Sequence, residues 1–235
     1  MRAEIIAEIG QNHNGDMELA KKLIHESKRA GADVAKFQLY DARALFPKEG
    51  NEWYDYNCKT ELSRDQIRML AEECDKAGIE FMASVFDIER IQWLEDVGMK
   101  RYKIASRSIF ETDLINAVAA TGKPMLVSLG KWNKPGLPDI QAKGGVHYLY
   151  CIAKYPPALT EVHLGKADFN VYAGFSDHTI GTAAPLAAMA RGARIIEKHV
   201  TLDKGMVGPD HTGSATPAEL AQMCTFRDEL EQILA

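Results

Sequence analysis

The sequence predicts an α/β protein, a single closed (β/α)8 barrel of the TIM type. Three observations carry this expectation. Short apolar runs of strand length alternate with helix-like segments along the chain. The length of 235 residues approaches the roughly 250 that such a barrel needs. Hydroxyl and ionisable side chains gather at the trailing ends of the runs, where α/β barrels place their chemistry. No linker, repeat or low-complexity stretch divides residues 1–235, so one domain is expected.

The first run, Ala3 to Ile9, is a strand that leads into Gly10-Gln-Asn-His-Asn-Gly15. Asp16 can cap a helix with Leu19, Leu23 and Ile24 on its apolar face, stopped by Gly31. Asp33 to Leu39 is the second strand. A long connection from about Tyr40 to Leu62 carries Phe46, Trp53, Tyr54 and Tyr56, and reads either as a lid or as a segment packed on the body. Ser63 and Gln66 form a capping box that opens a helix to Gly78. The third strand spans Ile79 to Ser84, with a helix to Gly98, and the fourth spans Arg101 to Ala105, with a helix from Thr112 to Gly122. The fifth strand is Pro124 to Ser128, and the Gly/Pro/Lys-rich stretch from Gly130 to Gly145 has no full-length helix pattern. Val146 to Cys151 is the sixth strand, followed by a weak helix near Thr160–Lys166. Val171 to Phe175 and Ala193 to Ile196 are the seventh and eighth, joined by an Ala-rich helix near 181–191. Thr216-Pro217 opens the closing helix.

Composition narrows the function. A hydrophobic content of 46% supports a sizeable core. The net charge of −5 and a pI near 5.8, without a basic aromatic patch, argue against nucleic acid as a partner. Neither a signal peptide nor an uncharged stretch of membrane-spanning length is present, so no membrane partner and a cytoplasmic location are expected. Cys58, Cys74, Cys151 and Cys224 are scattered, as reduced thiols would be.

The polar residues at the strand ends carry the chemistry. They are Glu8; Lys36 and Gln38; Ser84; Lys103 and Ser106; Ser128; Tyr155; Ser176 and His178; Lys198 and His199. Lysine in an apolar strand is costly unless paired or facing an anion. Lys36, Lys103 and Lys198 at one rim, with several hydroxyls, suit a phosphate or carboxylate ligand. A structural network with Glu8, Asp177 and Glu197 is the competing account. Ser84 and Ser128 bonded to nearby backbone, and Tyr155 in ordinary packing, are further alternatives. Lys103 as a Schiff-base lysine also remains open. His178 and His199, just past the seventh and eighth runs, can face one point and share a divalent metal, or can be two unrelated loop histidines.

From about Ile5 to Pro217 the chain resembles the sialic acid (N-acetylneuraminate) synthase family. The resemblance rests on Ala7-Glu-Ile-Gly-Gln-Asn-His-Asn-Gly15, Gly31-Ala-Asp-Val-Ala-Lys-Phe-Gln38, Tyr102-Lys-Ile-Ala-Ser106, Gly174-Phe-Ser-Asp-His-Thr179, Ile196-Glu-Lys-His199 and Gly208-Pro-Asp210. It implies the same barrel and a transferase that joins phosphoenolpyruvate to an amino-sugar aldehyde, making a nonulosonic or related 2-keto-3-deoxy sugar acid. By position it assigns Lys36, Ser84, Lys103, Ser106, Ser128 and Ser176 to phosphoenolpyruvate. It assigns His178 and His199 to a divalent ion, Mn²⁺ or Mg²⁺, and Glu8, Gln38, Tyr155 and Asp210 to the neighbourhood of the acceptor. The expected catalytic residues are Glu8, Lys36 and Lys103, the partners are small molecules, and the assembly implied is a homodimer. Three departures touch the acceptor half. Arg107-Ser108 stands where the family reads Gly-Glu, Ala153 stands where Asn or Ser is common, and no counterpart of the C-terminal antifreeze-like domain with its arginine follows. The acceptor is therefore not tied to N-acetylmannosamine. A noncatalytic anion-binding barrel and a metal-dependent sugar isomerase or aldolase are the alternative functions.

Overall fold

The computed structural model describes residues 2–235. Among these, eight parallel strands pair in chain order and the last closes on the first. They are β1 (Glu4–Gly10), β2 (Val34–Leu39), β3 (Glu80–Val85), β4 (Tyr102–Ile104), β5 (Met125–Ser128), β6 (Val146–Cys151), β7 (Gly174–Asp177) and β8 (Ile195–His199). The helices are α1 (Met17–Arg29), α2 (Ala42–Leu45), α3 (Tyr54–Lys59), α4 (Arg64–Ala77), α5 (Ile91–Asp96), α6 (Thr112–Ala120), α7 (Leu159–Val162), α8 (Ala183–Ala190) and α9 (Pro217–Ile233). The fold is the expected (β/α)8 barrel.

Helix starts follow the sequence signals. Asp16 accepts from the Glu18 and Leu19 amides at the start of α1. The Ser63–Gln66 and Thr216–Glu219 capping boxes both form, and Pro217 occupies the first turn of α9. No helix lies between β5 and β6 among the described residues, in line with the composition of 130–145.

Strand alternation sorts the barrel interior into layers, because successive residues face opposite sides of the wall. At the N-terminal end Arg101 donates to Glu4 at 2.6 and 2.9 Å and to Glu80 at 2.8 Å, closing the floor. Above it Ile6, Val34, Met82, Leu126 and Leu149 form a dry layer, with Ile195 against it. The next inward positions are Glu8, Lys36, Ser84, Lys103, Ser128, Cys151, Ser176 and Glu197, and all are buried. The opposite parity packs against the helices, as in the Phe37–Phe81 ring stack at 5.9 Å.

Three element boundaries need correction, those of the helix after β3, of β7 and of β8. The helix after β3 is shorter than expected, only Ile91–Asp96. β7 starts later than Val171 and includes Ser176 and Asp177, while β8 extends through Glu197, Lys198 and His199. Ionisable residues inside a strand interrupt the apolar run and hide its end. The 40–62 connection holds two short helices and is pinned to the body. Tyr40 is fully buried, and its hydroxyl meets Thr60 Oγ1 at 2.8 Å and Gln11 Nε2 at 2.7 Å.

Candidate active site

A cavity of about 740 Å³ opens at the C-terminal ends of the strands. Its floor is the polar inward layer, and its walls are Phe46, Trp53, Phe86, Arg107, Tyr155 and Pro209.

On the floor, two ammonium groups face two carboxylates. Lys36 Nζ lies 2.7 Å from Glu8 Oε2, an ionic contact outside hydrogen-bond angles, and 3.4 Å from Glu197 Oε2. It also donates to Ser84 Oγ at 3.0 Å. Lys103 Nζ lies 3.7 Å from Glu197 Oε1 and donates to the Ile104 carbonyl at 3.1 Å. Burial opposes ionisation of Glu197, yet Lys103 and Lys36, with the Ser176 hydroxyl at 2.7 Å, hold its pKa down to about 2. Burial and the neighbouring Lys36 lower the pKa of Lys103, against the pull of Glu197. For Lys36, Glu197 and Glu8 outweigh burial and the pKa is raised. Gln38 Nε2 donates to the other oxygen of Glu8 at 3.0 Å.

The serines differ. Ser106 Oγ accepts from the Lys131 amide at 2.6 Å, whereas the buried Ser128 hydroxyl has no partner and lines the cavity. A buried hydroxyl without a partner is the exception among buried polar groups, and this one is open to the cavity. The alternative that Ser84 and Ser128 cap nearby backbone is not what the structure has.

His178 and His199 project from adjacent strand ends with ring centroids 5.7 Å apart. Burial first, then the charge of His199, pushes His178 well below the ordinary histidine pKa, so its ring is neutral. Tyr155 packs edge-on against His178 at 4.3 Å. His199 Nδ1 is buried without a hydrogen-bond partner and faces Asp210 Oδ2 at 3.9 Å. Cys151 Sγ lies 3.9 Å from His178 Nδ1. Among the described residues no three such side chains are gathered as a ready ligand cluster. Two imidazoles, one with an open buried nitrogen, and a carboxylate beside them nonetheless fit a divalent ion whose remaining positions go to water or substrate oxygen.

The profile of the NeuB family matches residues 23–235. The chain belongs to the NeuB family. It is 33% identical to the N,N'-diacetyllegionaminic acid synthase of Legionella pneumophila over 100% of this chain and 74% of that protein. It is 31% identical to the human N-acetylneuraminate-9-phosphate synthase, over 93% of this chain and 67% of that protein. Among solved structures, the N-acetylneuraminic acid (sialic acid) synthetase of Leptospira borgpetersenii, crystallised with citrate, superposes with a TM-score of 0.92 at 31% identity. That match covers 100% of this chain and 86% of the other.

In this NeuB-family barrel every expected site residue except Lys198 lines the cavity. Lys198 is the correction. It follows Glu197 in β8 and so points outward, donating to Asp177 Oδ2 at 2.5 Å and to the Thr179 carbonyl at 2.7 Å. Asp177 faces it across the β7–β8 register, and both side chains are fully buried behind the wall. All three lysines thus meet the carboxylates of the competing account, Lys36 and Lys103 on the cavity floor and Lys198 outside the cavity. Sequence reasoning named Glu197 only as a neutralising charge and left out Cys151, although both sit at inward parity in their strands. Gln11, Asn57 and Lys131 also line the cavity from loops or a short helix, where no periodic signal marks them. Among the described residues no helix is long and apolar enough to cross a membrane.

Proposed function

We propose that this NeuB-family chain, with residues 1–235 as its catalytic domain, condenses phosphoenolpyruvate with an amino-sugar aldehyde in the cytoplasm, as a homodimer, to give a nonulosonic acid and phosphate. The observation that carries the reading is the floor of the cavity. Two buried lysines and an unpartnered serine hydroxyl lie in the same cavity as two close imidazoles, one of them held neutral.

Lys36 and Lys103 hold the phosphate and carboxylate of phosphoenolpyruvate, Ser84, Ser106 and Ser128 donate to their oxygens, and Ser176, whose proton goes to Glu197, borders them on the same floor. Gripping both anionic ends fixes C3 toward the acceptor, so orientation removes much of the barrier. Gln38, Tyr155 and Asp210 border the acceptor. His178 and His199, with Asp210 nearby, are the side chains that would hold Mn²⁺ or Mg²⁺, and such an ion supplies Lewis acidity toward an aldehyde oxygen. The enol electron pair forms the bond from C3 to the aldehyde carbon as the C=O π pair moves onto the aldehyde oxygen, which ends as a hydroxyl by taking one of the two protons of the water, the other leaving with phosphate. C2 is left electron-poor, and the Glu8 carboxylate stabilises it and takes a proton from the water that adds there. The C2–O bond to phosphate then breaks, phosphate leaves, and the ketone forms.

Incubation of the protein with phosphoenolpyruvate, MnCl₂ and a panel of amino sugars is expected to yield a 2-keto acid and phosphate in equal amounts. His178→Ala and His199→Ala are each expected to lower kcat at least roughly 100-fold, as loss of an electrostatic catalyst does, and to weaken Mn²⁺ binding seen by electron paramagnetic resonance. Full activity in both variants would sink the assignment.

A further inference from the structure

We propose that the acceptor carries a fixed negative charge, a phosphate or a carboxylate, remote from its aldehyde, and that Arg107 selects it. This rests on the condensing reading above and names its substrate class.

Four cationic side chains line the cavity: Lys36, Lys103, Arg107 and Lys131. The first two are matched on the floor by Glu8 and Glu197. Arg107 and Lys131 stand above them and, among the described residues, have no carboxylate within 4.0 Å.

Arg107 is held in place without being neutralised. Its Nη2 donates to the Leu45 carbonyl at 3.2 Å, and its guanidinium lies over the Phe46 ring at 5.1 Å. A neutral carbonyl and an aromatic face set the direction of the fork and leave the remaining N–H groups for an anion. Ser106 Oγ accepts from the Lys131 amide at 2.6 Å, so the loops bearing the two cations are tied together beside Arg107.

The cavity therefore has a deep part and an outer part. The histidine pair is deep, with His199 buried and the rings 5.7 Å apart. Arg107 lines the same cavity and is exposed. An aldose spanning the cavity with its aldehyde at the histidines presents its far end to Arg107. An unmatched cation in a partly enclosed cavity raises the local concentration of anions, and the planar fork fits phosphate or carboxylate two-pronged.

The test is a comparison of kcat/KM, read as 2-keto acid formed, for N-acetylmannosamine, its 6-phosphate and its uronic acid, with phosphoenolpyruvate and MnCl₂. One of the anionic sugars is expected to exceed the neutral one at least about tenfold, and which one it is identifies the anion. Arg107→Ala and Arg107→Gln are expected to raise the KM of that sugar roughly 10- to 100-fold, the range for a lost charged hydrogen bond, while the KM of phosphoenolpyruvate moves less than about twofold. Arg107→Lys is expected to keep part of the preference. Equal kcat/KM for neutral and anionic sugars overturns the proposal and leaves the condensing function standing. A rise in the KM of phosphoenolpyruvate instead of the sugar also overturns it. If no sugar yields a 2-keto acid, the condensing reading fails, and Arg107 is judged by calorimetry with the reduced sugar, N-acetylmannosaminitol 6-phosphate. Binding lost in Arg107→Ala supports the assignment, and no binding or equal binding overturns it.

Discussion

Glu197 stands between two ammonium groups that line the cavity, 3.4 Å from Lys36 and 3.7 Å from Lys103, whereas Lys198 pairs with Asp177 outside it. If Lys103 becomes methionine, Glu197 still has Lys36, so the fold is expected to hold while phosphoenolpyruvate affinity falls about tenfold or more in calorimetry. Lys198→Met leaves Asp177 buried without its partner and is expected to cost about 3–5 kcal/mol in urea unfolding, without moving the affinity for phosphoenolpyruvate. The difference was not legible in the sequence. Reading the eighth strand as ending at Ile196 discards the alternation that separates Glu197 from Lys198, and all three lysines then look alike. Lys36 and Lys103 were legible because each sits within a recognisable run. A second residue-level outcome concerns His13. Its Nδ1 accepts from the Gly15 amide at 3.1 Å, its Nε2 is buried and unpartnered, and burial, only partly offset by Asp16, lowers its pKa to about 4. Between pH 6.5 and 4 the unfolded chain binds a proton there that the folded chain refuses. Stability is thus complete above about pH 6.5 and falls with pH, by on the order of 3 kcal/mol at pH 4. A flatter pH dependence of unfolding in His13→Gln is the check.

Among the elements, the segment that follows β8 is placed by contacts that no periodicity announces. The Tyr56 hydroxyl, on α3, lies 2.9 Å from the Gln11 carbonyl and 2.6 Å from Asn14 Oδ1. His211 Nε2 meets the same Asn14 oxygen at 2.9 Å, and His211 Nδ1 meets Thr201 Oγ1 at 2.7 Å. Gly208 passes beneath with φ +155°, where a Cβ would stand 2.5 Å from the Tyr56 hydroxyl and 2.7 Å from His211 Cδ2. Gly208→Ala is expected to cost about 1–3 kcal/mol from the backbone strain. It is also expected to push Pro209 and Asp210 off the cavity wall, raising the acceptor KM more than that of phosphoenolpyruvate in steady-state kinetics. The sequence marked this stretch only through its resemblance to a family. Elements that announce themselves physically, such as the capping boxes at Ser63 and Thr216, were legible without it.

At the scale of the whole molecule, the order of strands and helices was readable because each βα unit repeats the same pattern, but the clasp that holds the last helix was not. Arg227 on α9 is buried and donates to Asp33 Oδ2 at 2.8 Å and to the Gly31 carbonyl at 3.2 Å. Asp33 in turn accepts from the Ile5 amide at 2.8 Å and from Arg2 at 2.7 Å. The last helix is thus bound to the turn that leads into β2, and through Asp33 to β1, by contacts 194 and 196 residues apart in sequence. Arg227→Ala is expected to lower unfolding free energy by about 2–3 kcal/mol, the cost of stripping a charged hydrogen-bond partner, with catalysis unchanged in the folded fraction.

The pairing of β8 with β1 has a consequence for the order in which the protein becomes competent during synthesis. A ribosome that has released only seven strands presents an open sheet with two unpaired rims, the kind of surface that invites wrong partners. In that state Lys36 and Lys103 already sit in their strands, but Glu197 has yet to arrive. The strand that seals the rims also delivers Glu197 and His199, so sealing the wall and arming the pocket are one event.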